Sequence, residues 1–124
     1  MAAFNYLLLE MDCPACGQAT MLRAQTHMAS DYEGDERGRF MDREYRLGEP
    51  MWWFPKDTPD YPDWMTWGTG QVADIVYEVC PACCPLCDSE VYAVVKFKST
   101  TPLLVVANGL ECDRNAAATR WEGR

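Results

Sequence analysis

Cys80-Pro81-Ala82-Cys83-Cys84-Pro85-Leu86-Cys87 restricts this chain more than any other stretch, and Cys13-Pro14-Ala15-Cys16-Gly17 is its counterpart near the N-terminus. Two cysteines separated by two residues form a tight knuckle, with both sulfurs on one side and backbone N–H groups aimed at them. Two such knuckles facing each other make a closed tetrahedral metal site. Packing alone gives no reason for three C-P-x-C units in 124 residues.

The second knuckle can be read in two registers. Cys13-Pro-Ala-Cys16 is followed by Gly17-Gln18-Ala19 and then by Thr-Met-Leu-Arg-Ala-Gln. Cys84-Pro-Leu-Cys87 is followed by Asp88-Ser89-Glu90 and then by Val-Tyr-Ala-Val-Val-Lys. In both, three linking residues lead into a strand, as two halves of a metal-bound ribbon require. This matched offset favours Cys13, Cys16, Cys84 and Cys87 as ligands. Cys80 and Cys83 have the same internal spacing and remain the alternative second pair. Together with Cys112 and His27 they would also complete a second four-ligand site. Against that site, a lone histidine or cysteine is ordinarily a core or surface residue, and adjacent Cys83 and Cys84 would have to serve different ions.

Seven cysteines in C-x-x-C pairs, behind an N-terminus unlike a secretory signal, suggest a soluble protein of a reducing, cytoplasmic compartment. No apolar run approaches membrane-spanning length. One domain is expected over residues 1–124, with a hydrophobic fraction of 48% that suits a packed core. The net charge of −8 opposes nucleic-acid binding and suits a basic protein partner. Arg37, Arg39, Arg43 and Arg46 are interleaved with Asp35, Glu36, Asp42 and Glu44, so no basic strip emerges.

The remaining chain reads as mainly β. Strands are expected over residues 4–11, 19–28, 39–47, 72–79, 90–98 and 103–107. Phe40, Tyr45 and Leu47 are the anchors expected in the third. Pro102 is expected to interrupt, Asn108-Gly109 to turn, and 115–121 to form a short helix in the 110–124 tail. Residues 30–38 read as a solvated acidic loop. Residues 48–70 are an irregular insertion holding four of the five tryptophans and four of the eight prolines. Trp52, Trp53, Tyr61, Trp64 and Trp67 are there the candidate partner-binding residues, weighed against a satellite core that the cost of exposed tryptophan favours.

Cys-Pro-Ala-Cys-Gly, Tyr45-Arg46-Leu47-Gly48-Glu49, Tyr77-Glu78-Val79-Cys80 and Cys84-Pro-Leu-Cys87 leading into Val91-Tyr92-Ala93-Val94-Val95 resemble the small bacterial and phage zinc-ribbon proteins. The resemblance spans the knuckles and their strands, about half the chain, and departs from the family's single second knuckle. It implies a small β-rich fold around a structural Zn2+, and leaves activity open. The expected function is a non-catalytic interaction module: an adaptor, inhibitor or immunity-type protein. The alternatives are a nucleic-acid-binding ribbon acting in transcription and a rubredoxin-like iron electron carrier. A single histidine, with no H-E-x-x-H, Ser-His-Asp or phosphate-cradling motif, argues against an enzyme.

Overall fold

A computed structural model describes residues 4–28, 42–51, 75–98 and 101–122. The tryptophan-rich stretch 52–74, the acidic loop and Phe40 lie outside these residues. Two hairpins dominate. The first joins β1 (Asn5–Asp12) to β2 (Ala19–Thr26), and the second joins β4 (Ile75–Cys83) to β5 (Glu90–Lys98). Each is antiparallel and turns through one C-P-x-C knuckle. A short strand, β3 (Glu44–Arg46), runs parallel to β1, and β6 (Thr101–Leu110) pairs antiparallel with β5. The sheet orders are β2-β1-β3 and β4-β5-β6. A 3-10 turn, Glu111–Asp113, leads into α1 (Arg114–Glu122).

Alternation decides how the sheets stack. In β2, Leu22, Ala24 and Thr26 are buried while Arg23 is exposed and Met21 and Gln25 are half-buried. Leu7, Leu9, Leu22 and Ala24 of the first sheet pack against Val76, Cys80, Ala82, Val91, Ala93, Val95 and Phe97 of the second in one core. The opposite face of the second sheet, through Val79, Tyr92 and Val94, receives Ala117 of α1, with Trp121 and Tyr77 alongside. The β4-β5-β6 sheet is therefore the middle of three layers. This explains why Val91 to Val95 are all buried: a central strand covered on both faces has no solvent side.

Several expectations about boundaries give way. Strand β4 does not stop before Cys80 but runs through Cys80-Pro81-Ala82-Cys83. Pro81 is tolerated because β4 is an edge strand. Val79, two residues earlier, sends its N–H to Glu122 Oε2 at 2.7 Å, away from β5, so the position that shares its parity needs no donor on the ladder. Pro102 does not interrupt; it lies inside edge strand β6 beside a register shift, and its carbonyl accepts the Gly48 N–H at 2.7 Å. Within the expected third strand, Tyr45 is buried but Leu47 is 39% exposed.

Asn108-Gly109 is not a turn. Gly109 sits opposite Tyr92 within β6, and a Cβ at Gly109 would lie 2.5 Å from the Tyr92 hydroxyl and 2.7 Å from its ring. The absence of a side chain makes room for a buried aromatic ring on the neighbouring strand. Gly109→Ala should therefore lower thermal stability by about 1–3 kcal/mol as the ring is displaced. Chemical denaturation of the two proteins checks this, and in a Tyr92→Ala background, which lacks the ring, the same Gly109→Ala change should cost little further stability.

Candidate metal centre

The two knuckles are built alike. In the first, Cys13 N–H donates to Gln18 O at 2.9 Å and Gly17 N–H to Cys13 O at 2.8 Å. In the second, Cys84 N–H donates to Ser89 O at 3.0 Å and Asp88 N–H to Cys84 O at 2.9 Å. One further N–H reaches each leading sulfur: Ala15 N–H to Cys13 Sγ at 3.3 Å and Leu86 N–H to Cys84 Sγ at 3.4 Å. Both knuckles need a left-handed residue after the second cysteine. Gly17 supplies it at φ +74° and Asp88 at φ +61°, aspartate being among the few side chains that tolerate that region. The strands resume at Ala19 and Glu90, so two residues link each knuckle to its strand rather than three.

Packing the hairpins face to face brings these knuckles together. The sulfurs of Cys13, Cys16, Cys84 and Cys87 all lie within 4.8 Å of one another. Cys13 Sγ and Cys87 Sγ are 3.9 Å apart, too far for a disulfide, and all the cysteines are free. A tetrahedral ion with sulfurs at about 2.3 Å would space them about 3.8 Å apart, so the cluster has the dimensions of a four-thiolate site. Cys13 and Cys84 are buried in the core, and Cys87 is exposed. The site thus forms one end of the sandwich.

The thiols already differ in acidity. Backbone N–H donation at Cys16, with help from Ala15 and Cys84, holds the Cys13 thiol below its ordinary value. The Ser89 side chain and N–H bring Cys87 down to about 6. Cys16 receives the Gln18 N–H, but burial and its thiol neighbours push it up to about 11. The donors thus favour negative charge on two of the four sulfurs, as thiolate ligation of a cation requires.

The alternative second pair is not assembled. In a strand, residues three apart face opposite ways. Cys80 is buried in the core with its thiol toward the Glu78 carboxylate, whereas Cys83 is exposed and its thiol donates to Asp88 Oδ1 at 3.4 Å. Cys112 is exposed in the 3-10 turn, and the His27 ring lies tilted against Phe4, with ring centroids 4.5 Å apart. Cys80, Cys83, Cys112 and His27 therefore form no second site, and among the described residues the four knuckle cysteines are the single cluster with metal-holding geometry. Cys83→Ser and Cys112→Ser should leave metal content and melting temperature unchanged, as metal analysis and calorimetry would show. Trp52, Trp53, Tyr61, Trp64 and Trp67 fall outside the described residues.

Sequence reasoning overlooked a second polar feature. Glu78 of β4 is buried, and its carboxylate crosses to the end of β2, where it accepts the Thr26 hydroxyl and the His27 N–H at 2.9 Å. The Cys80 thiol donates to it from 3.5 Å. Burial, outweighing these donors and joined by nearby Glu122, pushes the Glu78 carboxyl up to about 7. An acidic residue at a core-facing strand position was the available signal.

No family model, curated protein or solved structure matches the chain. What stands is a mainly β protein of two small sheets and one C-terminal helix, whose paired C-x-x-C knuckles form a four-cysteine site.

Proposed function

We propose that this protein is a metal-stabilised interaction module in which Cys13, Cys16, Cys84 and Cys87 hold one structural Zn2+. The observation that carries this reading is the closed donor set: four sulfurs from two matched knuckles, with no position left for water or substrate. Soft thiolates suit zinc, and the ion contributes folding free energy by tying the hairpins together at one end. With catalysis disfavoured, recognition is the role left to the surface. The charge of −8 makes a basic protein the favoured partner and nucleic acid a poor one. This reading agrees with the resemblance to bacterial and phage zinc-ribbon proteins. It includes an adaptor, an inhibitor or an immunity-type neutraliser in a reducing compartment.

A second reading keeps the site but changes the ion. The N–H groups directed at Cys13 and Cys84 would equally support an iron–thiolate centre of the rubredoxin kind. Metal analysis of protein purified without added metal separates the two: zinc is colourless, oxidised iron–thiolate is red. One equivalent of zinc is expected. A red, iron-loaded sample would replace the interaction reading with electron transfer.

A further inference from the structure

The two sheets present unlike edges to the same cleft. Strands β2 and β4 are edge strands of their sheets, joined at one end by the knuckle cysteines and at the other by Glu78 with Thr26 and His27. Between these joints lies a cleft of about 540 Å3 lined by Arg23 and Gln25 of β2, by Pro81 and Cys83 of β4, and by Glu90, Glu111 and Arg114.

The β4 edge is closed to pairing. Pro81 has no N–H, and the Val79 N–H is taken by Glu122. Among the described residues the β2 edge is open. Tyr6 N–H donates to Arg43 O, away from β2, so Gln25 opposite it directs its own backbone groups away from β1. Arg23 and Met21 share that parity. Among the described residues, no hydrogen bond reaches the outward backbone groups of Met21, Arg23 or Gln25. Proteins ordinarily cover or block such an edge, as this one does on β4.

Charge indicates what would pair there. Arg23 is committed to Glu44 at 2.8 Å and Arg114 to Glu111 at 2.7 Å. Glu90 makes no ion pair among the described residues, so the cleft retains an uncompensated carboxylate in a protein of charge −8. We propose that the β2 edge at Met21–Gln25 is the docking site for an extended, lysine- or arginine-bearing segment of a partner protein. The segment adds a strand to the first sheet and sets a basic side chain against Glu90. Main-chain hydrogen bonds supply affinity and the carboxylate supplies selectivity. This rests on the interaction reading above and gives that reading a place and a partner chemistry.

The test uses the metal-loaded full chain and three short synthetic peptides. One alternates valine with lysine, one is the same peptide N-methylated along one edge, and one carries glutamate in place of lysine. Amide hydrogen exchange of the free protein should show Met21, Arg23 and Gln25 unprotected. The lysine peptide should then slow exchange at these amides. N-methylation should weaken binding about tenfold, the equivalent of one or two lost hydrogen bonds. Glu90→Gln should weaken the lysine peptide, and the glutamate peptide should not bind. Protection at these amides in the free protein would mean that this chain already covers the edge, and would overturn the proposal. So would lysine-peptide binding that leaves these amides unchanged, or binding indifferent to N-methylation. A native partner that binds without touching β2 would overturn this placement while leaving the interaction reading intact.

Discussion

Cys13→Ser should abolish metal binding and leave the purified chain unfolded at ambient temperature. A structural zinc site contributes on the order of 10 kcal/mol, comparable to the whole stability of a small domain. Cys13 is the demanding case because it is both a proposed ligand and a buried member of the core cluster that includes Leu9 and Cys84. Serine would offer the ion a harder oxygen donor and bring a hydroxyl into an apolar setting. Circular dichroism and metal content should be lost together, and a chelator should produce the same unfolded spectrum from the native protein. Cys80→Ser is the control that separates ligation from burial: it also replaces a buried cysteine, yet should retain one equivalent of metal. Retained zinc and cooperative melting in Cys13→Ser would show that the four-sulfur centre does not hold the fold.

The contrast between Cys13 and Cys80 also shows what the sequence could disclose. Cys13-Pro-Ala-Cys16 and Cys80-Pro-Ala-Cys83 are identical at every position, so the four residues themselves cannot separate knuckle from strand. The difference lies in the residue after the second cysteine. Gly17 and Asp88 adopt the left-handed turn that closes a knuckle, whereas Cys84 after Cys83 belongs to the next knuckle. The matched offset by which both knuckles lead into strands carried that information, and so the four-cysteine cluster was readable. Less readable was anything set by a neighbouring strand. Asn108-Gly109 is a strong local turn signal, overruled by the need to accommodate Tyr92. Pro102 looked like a break, and the fourth strand seemed to end before Pro81, because a proline breaks only a strand that needs its N–H, and edge position appears only once the sheets are assembled. The buried role of Glu78 depends on β2 and β4 meeting, a contact between residues 52 positions apart in the case of Thr26.

Glu78 sets the second large expected effect. Its carboxyl titrates near 7 in the folded protein against 4.5 when exposed, because burial penalises its charged form more than its donors reward it. Between these values the folded state holds more protons than the unfolded state, so stability must fall as pH rises from about 4.5 and level off above about 7. The amplitude is on the order of 3 kcal/mol. Zinc bound as proposed would run the other way, since acid reprotonates thiolate ligands and releases the ion. A direct pH profile would therefore mix opposing slopes. The comparison that isolates Glu78 is the difference between the native protein and Glu78→Gln at each pH, both saturated with zinc, measured by denaturant unfolding from pH 6 upward. Glutamine carries no charge to bury, but its amide N–H2 must meet one of the donors from Thr26 or His27, so a constant offset is expected at all pH values. Superimposed on it, Glu78→Gln should gain stability relative to the native protein as pH rises from 6 to 8. A difference that stays flat across that range would mean that Glu78 is ionised throughout, with its three donors outweighing burial.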